Sequence, residues 1–395
     1  MRQSTNLSAR QPLGATRQLG RAALCLIVVF GLGASLVVPF RLLAAPVPTQ
    51  LTDQQFWNLS REWSEEDGVF RSDNLMSNET TFQYVIPNLL KASRPGRVYM
   101  GVGPEQNFTY IAALKPAMAV IVDIRHGNLD VHLMYKALFE LSKDRADFVS
   151  RLFSLKRPDG LTSKSSAREI FNAYLSADGS KQLFDENLKA IVDQLRVKHG
   201  FPLTEGDLDG ITWALGNFYQ YGPAINYNSS LSSNVPPAIV GATGGFNGGR
   251  VGGRGGNQVN YATLMVADNG VGQYMSYLAS EENFAVLKDL ETRNMLVPVV
   301  GDFGGDKAIR AVGKYLKSVD ATVSAFYLSN VEQYLVMDGK WDRFCGNAAS
   351  LPLDESSMFI RTGNGGPYTT NAGYGGGVGN SSIAKMVPEL TPCSK

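Results

Sequence analysis

From Arg97 to Asp123 the chain reads RVYMGVGPEQNFTYIAALKPAMAVIVD, and the spacing of its apolar positions changes twice. Val98, Tyr99 and Met100 form a short apolar run that halts at Gly101-Val102-Gly103. Asn107 to Leu114 then carries Phe108, Ile111, Ala112 and Leu114 at near-helical spacing and stops at Lys115-Pro116. Met118 to Val122 is a second apolar run, rich in branched residues, with Asp123 at its carboxyl end. The pattern predicts strand, helix, strand, and therefore a right-handed crossover with both strand ends on one rim.

The same alternation returns later. Tyr274 to Arg293 is predicted helical, Leu296 to Val300 is an apolar run closed by Gly301-Asp302-Phe303, Lys307 to Leu316 is helical, and Thr322 to Leu328 is a strand ending at Ser329-Asn330. Asn330 also fits as the cap of a helix over Val331 to Val336. Between the two alternating stretches, residues 144–280 read as a mostly helical insertion, through RADFVSRLF, SAREIFNAYL, KQLFDENLKAIVDQLRVKHG and DLDGITWALGNFYQY. Trp213, Asn217, Tyr219 and Tyr221 on the last of these either line a pocket or form a core stripe. The insertion contains a glycine-rich loop over 241–256, and a second glycine cluster spans Gly363 to Gly379.

Residues 46–96 read as an N-terminal helical cap, with a helix begun by Thr52 or Asp53 and a second start near Asn78-Glu79-Thr80. The segment leads into the first strand, so Asn78, Glu79, Thr81 and Gln83 either cap that helix at the surface or line a cofactor pocket. The sheet domain is then 97–143 with 281–395, an α/β fold with a Rossmann-like sheet and helices on both faces.

Residues 1–45 differ from the rest. Four arginines without an acid precede the apolar run AALCLIVVFGLGASLVVPF, and Arg41 follows it, which predicts a signal peptide or an N-terminal membrane anchor. The arginines put the N-terminus in the cytoplasm, so the globular part is expected to be exported: periplasmic, secreted, or anchored and facing outward. Without those five arginines the net charge falls from +1 to −4. Nothing in that balance suggests nucleic acid or an anionic membrane surface as the target, so no nucleic acid partner is expected and a membrane enters only through the N-terminal segment. Cys25 lies in that segment, leaving Cys345 and Cys393 as one disulfide or two free thiols. No CxxC or Cys/His spacing points to zinc, and no metal site is predicted. Three histidines and no GxSxG make a hydrolase a poor reading.

The chemistry legible in the chain centres on Gly101 to Asp123. Glycines let backbone approach a ligand, a helix start presents free N–H groups, and an acid about twenty residues on can accept from ribose hydroxyls. Pro104 and Glu105 interrupt a dinucleotide GxGxxG, and a carboxylate at the helix start would repel a pyrophosphate, so the loop suits a small-molecule ligand without phosphate. On these residues, and on LVPVVGDF, the chain resembles the class I S-adenosylmethionine-dependent methyltransferases.

The resemblance implies a methyltransferase-type sheet with S-adenosylmethionine as cofactor. Gly101, Gly103, Glu105 and Asn107 would lie at the cofactor loop, Asp123 would hold the ribose, Asp302 would bind the adenine amino group, and Phe303 would pack on the ring. Asn330 and Glu332, at the end of the following strand, and His126, just after Asp123, are the candidates for catalysis. The strand end Tyr327-Leu328-Ser329-Asn330 lacks the Asn-Pro-Pro-aromatic sequence of the amino-methylating members, so the acceptor is left open. The alternative is a non-catalytic small-molecule-binding or interaction module on the same fold.

Overall fold

The computed structural model describes residues 46–70, 72–73, 75–229, 259–363 and 381–393. The segment predicted for export and the two glycine-rich runs, apart from Gly363, lie outside the described residues. No described helix is long and apolar enough to cross a membrane.

In chain order the elements are α1 (Asp53–Trp63), α2 (Ile86–Ala92), β1 (Val98–Gly101), α3 (Gln106–Leu114), β2 (Met118–Asp123) and α4 (His126–Leu141). The insertion supplies α5 (Arg145–Phe153), α6 (Ala167–Ala173), α7 (Lys181–Asp193), α8 (Glu205–Tyr221) and α9 (Tyr261–Val266). The alternation resumes with α10 (Glu281–Thr292), β3 (Leu296–Val300), α11 (Ala308–Ser318), β4 (Val323–Ser329), α12 (Val331–Met337) and α13 (Trp341–Ala349). It closes with β5 (Met358–Thr362), β6 (Ser381–Lys385) and α14 (Met386–Leu390).

The six strands form one sheet in the order β3-β2-β1-β4-β5-β6, parallel except for β6, which pairs antiparallel with β5. This is an α/β fold compatible with a Rossmann-like sheet. Every residue of β1, β2, β3 and β5 is buried, as a parallel sheet covered on both faces requires. The order reverses between β1 and β4, so the crevice at their carboxyl ends is the switch point where α/β sheets bind ligands.

Local chemistry explains most boundaries. Thr52 and Gln55 close a capping box at α1. Lys115 ends α3 in the left-handed conformation, with φ 47°, directly before Pro116. Pro298 sits in β3, which is an edge strand and so tolerates a missing donor. α1 covers that edge, with Ser60 Oγ donating to the Pro298 carbonyl at 2.6 Å.

Helix α10 begins at Glu281, not at the expected Tyr274, because Ser280 accepts from the Asn283 N–H and the acids Glu281 and Glu282 occupy the first turn. Upstream of it Tyr277 is buried, its hydroxyl bonded to that of Tyr261. His126 opens α4. Cys345 and Cys393 form a disulfide with a Cα–Cα distance of 5.5 Å, tying the tail to α13. On α8, Asn217 is buried and donates to the Trp213 carbonyl, while Tyr219 packs on Phe184, so this stripe is mainly core.

Candidate functional site

The two glycines of the β1–α3 loop are required for different reasons. Gly103 has φ +76°, a conformation L side chains rarely adopt. At Gly101 a Cβ would lie 1.9 Å from Asn107 Oδ1. The space over Gly101 is therefore filled from inside the protein. Asn107 is fully buried; its Nδ2 donates to the carbonyls of Val102, Gly103 and Pro104 at 2.9, 3.2 and 2.7 Å, and its Oδ1 accepts from the Tyr99 hydroxyl at 2.8 Å. His132 Nε2 meets the Gly103 carbonyl at 2.9 Å, and burial pushes this imidazole down to about 4, so it donates as a neutral ring. Glu105 is also fully buried, with one oxygen 3.3 Å from the Ser77 N–H and the other without a hydrogen bond. Burial raises its carboxyl to about 8.

Beside this loop, the β1–β4 crevice holds a carboxylate of the chain itself. Glu79 accepts from Gln106 Nε2 at 2.6 Å, the Tyr327 hydroxyl at 2.8 Å and Ser329 Oγ at 2.6 Å. Gln83, from the same segment, bonds the Ala267 carbonyl and the Met275 N–H, and Thr81 accepts from the Ser381 N–H. These contacts are tertiary, so Glu79, Thr81 and Gln83 do more than cap a local helix.

The described residues of 64–81 follow the whole carboxyl rim. Over β3, Glu65 accepts from the backbone N–H groups of Asp302, Lys307 and Ala308 at 3.1, 2.7 and 2.8 Å, occupying the anion site at the start of α11. Over β2, the Gly68 N–H donates to the Ile124 carbonyl and Asp67 accepts from the His126 N–H at 2.6 Å. Over β4, Phe70 meets Tyr334 edge to face with ring centroids 5.0 Å apart. We call this segment the strap. Sequence reasoning noticed Glu79 but missed Glu65, which no local motif marks.

The acid ending β2 is buried and paired within the chain. Asp123 accepts from Arg125 Nε and Nη2 at 3.0 and 2.9 Å and from the Arg125 backbone N–H at 2.9 Å. Arg125 reaches on to the strap carbonyls of Ser72 and Asp73. Asp302 lies on the same rim; it accepts from the Gly304 N–H and from Lys340 Nζ, at 2.8 and 2.6 Å. Phe303, expected to lie on an adenine ring, turns into the core instead, packed against Phe326 and stacked on Phe344 at 5.7 Å. Apolar neighbours below the sheet end claim it. Asn330 precedes α12 without a side-chain capping bond. Glu332 is buried in a two-point ion pair with Arg361, at 2.6 and 2.9 Å, and Arg361 also meets Glu389. That pairing turns Glu332 away from a free role at the strand end.

His126 stands where β2 feeds α4. Its Nε2 lies 2.6 Å from Asp207 Oδ1 in the first turn of α8 and 3.7 Å from Asp130 Oδ1, one turn along α4. The Asp207 hydrogen bond raises the His126 pKa. Burial alone would raise Asp207, but bonds from His126 and Thr204 outweigh it and hold the carboxyl at about 2. Asp130 goes the other way, lifted by burial to about 7. The spacing His126-x-x-x-Asp130 was a legible signal that both side chains share one helix face; Asp207 came from a distant segment and was not.

Of the sequence-predicted residues, the structure brings Gly101, Gly103, Glu105 and Asn107 together around β1, sets Asp123 and Asp302 at neighbouring strand ends, and puts Asn330 after β4. Phe303 and Glu332 face elsewhere. No curated protein matches the chain. A family model described as "Domain of unknown function (DUF7790)" matches residues 75–198 and 258–381, more than half of the chain, taking in Glu79, the glycine loop and all five parallel strands. The chain therefore belongs to the DUF7790 family.

Proposed function

We propose that this chain acts outside the cytoplasm as a non-catalytic small-molecule-binding module on a Rossmann-like scaffold, with its nucleotide rim occupied by its own strap. The observation that carries this reading is the pair of strap carboxylates. Glu65 takes the helix N–H groups after β3, and Glu79 takes the donors at the switch point. An adenosyl ligand would have to displace Glu79 and Asn107 from buried hydrogen bonds, each costing about 1–3 kcal/mol to leave unmade, and Glu65 from partly exposed ones. The arginine-flanked apolar run of residues 22–40 and the Cys345–Cys393 disulfide support an oxidising, exported location. S-adenosylmethionine is made and kept in the cytoplasm, which agrees with a domain that does not use it.

A second reading is S-adenosylmethionine-dependent methyl transfer to an unknown acceptor. It is supported by Asp123 and Asp302 at the ends of adjacent strands, and by the ends of β3, β2, β1 and β4 lying side by side on one rim. Methyl transfer needs mainly positioning, so it does not call for a catalytic triad. In this reading the strap must lift before cofactor enters.

Isothermal titration of the full chain with S-adenosylmethionine and S-adenosylhomocysteine separates the two. We expect no saturable heat. Micromolar binding that is lost in both Asp123→Ala and Asp302→Ala would establish the second reading in its place.

A further inference from the structure

We infer that His126, Asp130 and Asp207 form a binding site for a divalent first-row cation such as Zn2+, at the junction of the sheet rim and the helical insertion. One donor atom from each residue lies within 4.8 Å of the other two, and His126 Nε2 is 2.6 Å from Asp207 Oδ1 and 3.7 Å from Asp130 Oδ1. One imidazole nitrogen and two carboxylate oxygens make a donor set that suits Zn2+ or Mn2+ better than the oxygen-only shells of Ca2+ and Mg2+.

The hydrogen bonds around the cluster leave the right atoms available. Asp207 accepts at Oδ2 from the Thr204 N–H and hydroxyl, at 2.6 and 2.8 Å, which fixes the carboxylate and points Oδ1 at His126. Metal-binding carboxylates are ordinarily held in this way by hydrogen bonds to the oxygen that does not face the metal. His126 Nε2 can satisfy one carboxylate with its single proton, and Asp207 at 2.6 Å is the nearer. Asp130 Oδ1 is left without a hydrogen bond, on a residue only 3% exposed, aimed into the same space. A buried carboxylate oxygen without a donor is costly, and a shared cation would satisfy all three atoms together.

The fold also makes room for Asp130. Gly210 lies inside α8, where glycine is a poorer helix former than alanine. A Cβ there would meet Asp130 Oδ2 at 2.1 Å and its Cγ at 2.7 Å. The helix forgoes a side chain at the point where the carboxylate packs. Ligands around one Zn2+ sit at about 2.0–2.2 Å from it, so the donors need side-chain shifts of roughly an ångström and no backbone change. The His126 side chain is 34% exposed while both aspartates are buried, so the remaining coordination position faces solvent on the histidine side. A water or an anionic small molecule would complete the shell there.

This site is separate from the β1–β4 crevice, and its failure would show in metal binding, not in adenosyl binding. The test uses the full chain with its disulfide intact, stripped of metal and titrated with Zn2+, then Mn2+, Mg2+ and Ca2+. The expected result is one Zn2+ per chain, with affinity at least tenfold weaker in Asp130→Asn and in His126→Gln. Asp302→Asn, a rim acid outside the cluster, should bind as the parent does. X-ray absorption of the Zn2+-loaded parent chain should show a nitrogen and oxygen shell with one imidazole, and decides the matter should the variants fail to fold. Absence of stoichiometric Zn2+ binding, parent-like affinity in both folded variants, or a shell with sulfur or several imidazoles would overturn the inference.

Discussion

Glu105 shows how far one residue's role can depart from its place in a motif. In the sequence it breaks a glycine fingerprint at a helix start; in the structure it is a sealed carboxyl whose second oxygen has no hydrogen bond. Its pKa of about 8 against 4.5 has a consequence with a definite sign. Below about 4.5 the group is protonated in both folded and unfolded chains. Between about 4.5 and about 8 the unfolded chain has released the proton and the folded chain retains it, so stability falls as pH rises through this window. Glu105→Gln removes that contribution and keeps an acceptor for the Ser77 N–H. Thermal unfolding from pH 5 to 8.5 should show the variant gaining on the parent as pH rises, by on the order of a few kcal/mol at the upper end. A constant difference across the range would mean that Glu105 is not held protonated. The need for glycine at positions 101 and 103 was legible from the sequence, because short glycine turns have few other uses. What fills the space above Gly101 was not, since Asn107 is an ordinary helix-start residue until its four hydrogen bonds are seen.

Among the elements, the apolar runs of β1 to β4 were legible because strands buried on both faces need apolar residues at nearly every position, and the helices because an amphipathic face imposes its period. β6 escaped detection because it is an edge strand with only Ser381 buried, so it carries no apolar run. The strap escaped for a related reason: it has no regular structure, and its tertiary hydrogen bonds reach residues 27 to 300 positions away along the chain, such as Glu79 to Gln106 and Thr81 to Ser381. The disulfide left open by the sequence belongs to this scale. It closes a loop of 48 residues and ties the turn after α14 to α13, beside β5. Loop-closure entropy gives about 4 kcal/mol for such a loop. Cys393→Ser should lower the urea midpoint accordingly, whereas an unchanged midpoint would show that the tail is held by packing alone.

On the scale of the whole molecule, the predicted cap, sheet and insertion all lie within one compact unit, Ala44–Lys395. The sheet order puts a switch point between β1 and β4, the general position for a ligand in such folds. Fold class was readable because strands and helices alternating along the chain, joined by right-handed crossovers, build a parallel sheet covered by helices. Occupancy of the rim was not, because it depends on where a non-periodic segment lies after folding. If strap residues and Asn107 together hold this rim closed, amide hydrogen exchange of the full chain across residues 98–114 reads it most directly. Slow exchange of the 101–107 loop, governed by deep opening of the fold, is expected, with no change on adding saturating S-adenosylmethionine. Rapid exchange that becomes protected when the nucleoside is added would contradict it, and would show an open crevice waiting for cofactor.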